Sequence, residues 1–202
     1  AIILSGGDPA VFSGAIARID GEVTDGEIVE LRDAGGNWLA RGYINRRSQI
    51  VVRLLTWEQD EAIDAVFWKR RVARAVEART HLLRGGATDA CRLIHAESDF
   101  MPGLVVDRYG DHLVVQLLTL GIERQRDAVV NALVEAAQPR SIYERSDADA
   151  RAKEGLAARV GLLWGDEPPE LVDVRENGRR FIVDVRNGHK TGFYLDQREN
   201  RA

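Results

Sequence analysis

The stretch WLARGYINRRSQIVVRLLT (residues 38–56) consists of two apolar runs, 38–44 and 50–55, parted by the polar Asn45-Arg46-Arg47-Ser48. Branched and aromatic residues bounded by turn formers predict β-strands, because such side chains fit a pleated, half-buried surface. Outward from there, residues 15–19 and 27–31 repeat the pattern, separated by Asp20-Gly21, Asp25-Gly26 and Gly35-Gly36-Asn37. Short strands at this spacing predict a small β-barrel. Between Ala34 and Trp57 there is no Asp or Glu, yet Arg41, Arg46, Arg47 and Arg53 lie there with Trp38, Tyr43, Asn37 and Asn45. Positive charge beside stacking rings suits RNA, whose unpaired bases are read on aromatic and guanidinium planes. A solvated barrel face with inward aromatics would satisfy the same pattern.

The period changes at Trp57. Residues 60–83 predict a long helix, with Ala62, Ala65, Val66, Val72, Ala73, Val76 and Leu83 on one arc at 100° per residue and Arg70, Arg71, Arg74 and His81 opposite. Gly85-Gly86 ends it. Strands are expected at 91–95, 104–108 and 112–118, a helix at 122–137 stopped by Pro139, and a strand at 142–144. Residues 146–156 are polar and ambiguous. A hairpin, 171–175 with 180–185, turns on Glu176-Asn177-Gly178-Arg179. The terminal Tyr194-Leu195-Asp196-Gln197-Arg198-Glu199-Asn200-Arg201 reads as the opening of a charged amphipathic helix after Thr191-Gly192.

Composition bounds the function. A net charge of −4 argues against indiscriminate coating of nucleic acid, but it hides the distribution of charge. Of the 28 basic residues only Lys69, Lys153 and Lys190 are lysine, and the other 25 are arginine. That bias reflects either genome base composition or the suitability of arginine's planar fork for phosphates and base edges. No apolar run approaches the roughly 20 residues of a membrane span. The start, AIILSGGDPAVF, lacks a secretory pattern and an initial Met, so a cytoplasmic location and a processed or cut start are expected. One cysteine, Cys91, excludes an internal disulfide and a multi-cysteine zinc site.

Residues 92–109 gather His95, Glu97, Asp99 and Asp107, a set able in principle to bind metal or to act as acid and base. The set lacks the spacing of a metal motif, and polar residues between two strands more often simply make a loop. Cys91 has no local activating motif, and no phosphate-cradling glycine loop is present.

Three segments together resemble the bacterial S-adenosylmethionine-dependent methyltransferases that modify cytosine at carbon 5 in large-subunit (23S) ribosomal RNA. They are VFSGAIARIDGEV (11–23) with LARGYINRRSQIVVRLLT (39–56), RLIHAESDFMPGLVVDRYGD (92–111) with YERSD (143–147), and NGHKTGFYLDQRENR (187–201). The resemblance implies an α+β chain: a PUA-like RNA-binding barrel at 1–56, a mixed α/β central domain at 57–186, and at 187–202 the lead-in hairpin and first helix of a truncated Rossmann-like methyltransferase domain. It implies RNA contacts from Ser13, Arg41, Tyr43, Arg46, Arg47 and Arg53. It places Lys190, Thr191, Phe193, Tyr194, Gln197 and Arg198 beside the donor, S-adenosylmethionine, which is held mainly by the catalytic domain. The family's cysteine nucleophile lies outside the matched segments, so no catalytic residue is expected here and the chain alone is expected to be inactive. The family's His-Pro-Trp ahead of Val-Phe is Asp8-Pro9-Ala10 in this sequence. The partner implied is ribosomal RNA, with no membrane. Whether the protein forms a homodimer stays open, as do a freestanding RNA-binding module and a hydrolase built on His95, Glu97 and Asp99.

Overall fold

A computed structural model describes residues 2–4 and 11–201; Asp8-Pro9-Ala10 lies outside them. Strands β1 (Ile2–Leu4), β2 (Val11–Phe12), β3 (Ile16–Ile19), β4 (Ile28–Arg32), β5 (Trp38–Ile44) and β6 (Ile50–Thr56) form one sheet in the order β2-β6-β5-β4-β1-β3. β2 and β3 are its opposite edges, yet only the 3-10 turn Ser13–Ala15 separates them in the chain, so the sheet must curl toward closure. β5 matches the expected strand at both ends. Ile2, Val11, Val29, Leu31, Ile44, Val51 and Val52 fill the interior.

The helix expected from residue 60 starts later, as α1 (Ala65–Arg84), because Asp64 caps it: its Oδ1 accepts from the Phe67 amide at 2.9 Å. Its buried face is also rotated from the arc read in the sequence. Phe67, Trp68, Val72 and Ala75 are inside, whereas Ala62, Val66 and Ala73 are exposed. Two aromatic side chains bury far more area than alanines and one valine, and they set the orientation.

The central sheet runs β11-β10-β9-β8-β7, from β7 (Ala90–His95), β8 (Leu104–Tyr109), β9 (His112–Leu117), β10 (Ser141–Ser146) and β11 (Arg159–Gly165). β9 and β10 are parallel and therefore need a crossover, which the helices α2 (Leu120–Arg124) and α3 (Arg126–Ala137) supply. The single helix expected at 122–137 is thus two, parted at Gln125, and Gln138 ends it in the left-handed region ahead of Pro139. A short α4 (Ala150–Lys153) occupies the ambiguous polar stretch. The hairpin of β12 (Leu171–Glu176) and β13 (Arg179–Asp184) turns on Asn177-Gly178, both at positive φ as a type I′ turn requires. Ala90, Tyr109, Val114, Val172, Val174, Val183 and Val185 form the core beneath it.

The terminal segment differs from its expected helix. It forms two 3-10 turns, Leu195–Gln197 and Glu199–Arg201, and packs on the hairpin. No helix among the described residues is long and apolar enough to cross a membrane.

Candidate nucleic-acid interface

Barrel and central domain share one core, in which Tyr43 and Leu55 pack with Phe67, Trp68, Leu93 and Ile122. Tyr43 is 1% exposed; its hydroxyl donates to the Pro102 carbonyl at 2.7 Å and lies 2.7 Å from Thr119 Oγ1. Burial pushes its phenol well above the ordinary range. The ring sits so close to α2 that a Cβ at Gly121 would collide with it. Beside it the Asn45 amide donates to the Glu154 carbonyl (3.0 Å) and to Glu154 Oε2 (2.8 Å). Arg53 bridges Glu154 Oε1 and Glu97 Oε1, each at 3.1 Å. Buried Glu154 thus ties the β5–β6 turn to the end of α4.

The residues expected to touch RNA separate into two groups. Tyr43 is in the interdomain core, out of reach of a base. Arg41 is held by the Glu61 carbonyl (2.5 Å) and Glu30 (3.2 Å), and its guanidinium lies 5.0 Å from the Trp38 ring. Arg53 is two-thirds committed to carboxylates, with its buried Nε left without a protein partner. Ser13, Arg46 and Arg47 are exposed. Arg46 leans on Asp25 at 2.8 Å; burial works to raise the Asp25 pKa, but the bonds and charge of Arg46 outweigh it and hold the carboxyl low. The Arg47 side chain lies against Gly155 and pairs with no carboxylate among the described residues, nor does Lys153 on α4.

Between the barrel turn and the central domain lies a cavity of about 650 Å³ lined by Arg47, Ile50, Arg53, Glu97, Lys153 and Glu154 among others. A smaller apolar recess of about 200 Å³ adjoins it and shares Ile50, Arg53 and Glu97; its rim carries Trp57 and Phe100. The sequence reading missed Lys153, Trp57 and Phe100. Trp57 showed there only as a boundary and Phe100 only as loop, although an aromatic in a polar loop was a usable signal.

The His95 set does not converge. Asp99 takes both arms of Arg79 (2.7 and 2.8 Å) and the His95 amide (2.6 Å). Glu97 faces Arg53, and fully buried Asp107 takes both Arg92 nitrogens at 2.8 and 2.9 Å. Each carboxylate is clamped by its own arginine, and no group of three ligands able to hold a metal exists among the described residues. Burial pushes the Cys91 thiol up to about 11, as suits a packing residue. The YERSD stretch supplies buried β10, where Glu144 accepts from Arg126 at 2.6 and 2.9 Å and Arg126 also binds Glu123.

The residues expected beside the donor are largely engaged with one another or with the sheet. Thr191 is fully buried, its Oγ1 donating to Asp107 at 2.5 Å and accepting from Tyr109 at 2.9 Å. Phe193 packs on Phe181 and under the Arg201 guanidinium, which also grips Glu176. Lys190 lies over the Tyr194 ring, while Gln197 donates to Asp196. Lys190, Phe193 and Arg198 line a groove of about 660 Å³ together with Arg92 and His95. Such a surface can form one wall of a nucleoside site; as a complete cradle for S-adenosylmethionine these residues do not fit, because no glycine-rich turn offers amides to the ligand.

Two kinds of comparison bear on this geometry. Residues 3–57 match the family of the PUA-like domain. Over 193 residues, 96% of this chain, it is 49% identical to the ribosomal RNA large subunit methyltransferase I of Aliivibrio fischeri. It is 49% identical over 195 residues to the protein of the same name from Tolumonas auensis. The chain spans about half the length of both relatives, 49% of each. Among solved structures, a candidate SAM-dependent methyltransferase of Streptococcus mutans superposes with a TM-score of 0.81 at 21% identity, covering 99% of this chain and 52% of that one. A candidate methyltransferase complexed with SAH gives 0.80 at 22%, covering 95% and 47%. At those identities the likeness establishes the fold, which is that of one half of each neighbour.

Proposed function

We propose that this chain is the RNA-recognition portion of an S-adenosylmethionine-dependent ribosomal RNA methyltransferase acting on the large subunit at cytosine C5. The observation that carries the reading is the 49% identity sustained over 96% of the chain with proteins named as large-subunit ribosomal RNA methyltransferases; the cytosine C5 target follows from the family resemblance. The geometry agrees with a recognition role: Arg46, Arg47 and Lys153 present positive charge on two domains joined by a shared core, so both can engage one RNA at a fixed spacing. When bound, the donor supplies an electrophilic methyl group. Cytosine C5 becomes nucleophilic once a thiolate adds to C6, and buried Cys91 does not serve that step. On this reading donor and nucleophile belong to the other half of such proteins, and residues 187–202 lead toward it as the wall of the donor site.

Supplying the chain with labelled S-adenosylmethionine and deproteinised large-subunit ribosomal RNA tests this. The expected result is RNA retained on a protein-binding filter and carrying no label. Failure to retain RNA would overturn the recognition role, and labelled RNA would overturn the division of labour.

A further inference from the structure

Three aromatic side chains are half exposed along one seam of the molecule. Trp57 (49% exposed) follows β6, Phe100 (43%) follows the turn at Ala96–Asp99, and their rings meet edge to face at 5.9 Å. Phe12 (50%) stands on β2 in register with Ile50, which lines the recess. Val52, Leu54 and Pro102 complete the apolar wall. Leaving such surface in water is costly unless something covers it.

Charge beside the recess selects the occupant. The adjoining larger cavity carries Arg47 and Lys153, neither of them paired with a carboxylate among the described residues, and Arg71 lies 5.4 Å from the Phe100 ring. A strand that places negative groups on Arg47 and Lys153 while sending an apolar, flat group across Ile50 into the recess has the chemistry of an unpaired nucleotide. A volume of about 200 Å³ is on the scale of a single base, and a single strand delivers one there without the cost of extruding it from a duplex stack.

We propose that the seam between barrel and central domain is a subsite for one unpaired nucleotide of the RNA, its base lodged against Trp57 and Phe100 and its flanking phosphates on Arg47 and Lys153. This rests on the RNA-recognition reading above and adds to it that the strand bound there is single. Arg53, on the wall common to both cavities, is fixed by Glu97 and Glu154 and so holds the floor in place.

The test measures fluorescence anisotropy of two labelled probes of equal length, an unstructured oligoribonucleotide and a perfectly paired RNA duplex, binding to the 202-residue chain. Trp57→Ala and Phe100→Ala should each weaken the single strand about tenfold and leave the duplex within twofold. Trp57→Phe, which keeps a ring, should retain most of the affinity, and this separates stacking from misfolding. Arg47→Ala with Lys153→Ala should weaken the single strand most at low salt. Equal losses on both probes, or none, would overturn the subsite while leaving RNA recognition intact. Absence of binding to either probe by the unaltered chain would remove both. A concentration-dependent dimer that Trp57→Ala dissociates, with RNA binding unchanged, would make the recess a self-association surface and overturn the proposal.

Discussion

Glu123 shows how single residues set the response to acid. Burial works to raise its pKa, and bonds from Arg151 (2.8 Å) and Arg126 (2.7 and 2.8 Å) outweigh that and hold it below the ordinary value of 4.5. A depressed carboxyl stabilises the fold above its unfolded pKa, and this contribution is lost as pH falls through the folded value. The urea midpoint should therefore fall more steeply between about pH 5 and pH 3 in the unaltered chain than in Glu123→Gln. That variant should already be weaker at neutral pH by on the order of 3 kcal/mol, since Arg126, Arg151 and Arg159 all lose the carboxylate charge they bond to. Tyr43→Phe removes the hydroxyl bonded to Pro102 and facing Thr119 in a dry interface. Chemical denaturation should show a loss of about 1–2 kcal/mol.

At the scale of elements, α2 and β5 meet through Gly121 and Tyr43, and there is no room for a methyl group. Gly121→Ala should destabilise the chain by about 1–3 kcal/mol through forced displacement of the ring, read as a lowered thermal midpoint. The terminal segment is tied down by the Thr191 bond to Asp107, so its amides around 191–195 should exchange slowly, and Thr191→Val should raise their exchange without altering that of α3. Strands β3 to β6 and the β12–β13 hairpin were legible because their signal is local, apolar alternation and an Asn-Gly turn, whereas β1 and β2, three and two residues long, are too short to show a period. β11 was not legible, since Val160, Leu162 and Trp164 are exposed on an edge strand interrupted by Gly161. The face of α1 was misjudged because the arc was drawn through small alanines and valines and left out Phe67 and Trp68, whose larger apolar area sets the buried face.

For the whole molecule, the decisive features join residues far apart in the chain. Asn45 meets Glu154 across 109 positions, and Trp57, just after β6, meets Phe100 in the loop between β7 and β8. A reading along the sequence registered the basic patch but could not tell Arg47, left open, from Arg53, locked to carboxylates, or from Tyr43, buried under the second domain. That sorting depends on what the second domain covers, which tertiary packing alone decides. The result is a basic face drawn jointly from the β5–β6 turn and α4, and its spacing depends on the shared core rather than on a flexible tether.

The claim that this joint face binds RNA phosphates is tested most directly by the salt dependence of affinity. Filter binding of deproteinised large-subunit ribosomal RNA over a range of salt concentrations, with the unaltered chain and with the double variant Arg46→Ala, Arg47→Ala, gives the slope of log affinity against log salt. Each lost phosphate contact should flatten that slope by about 0.7 to 0.9. Arg47 should contribute more than Arg46, which Asp25 already occupies. A double variant with reduced affinity and a flatter slope is the predicted result, and an unchanged slope would contradict the account.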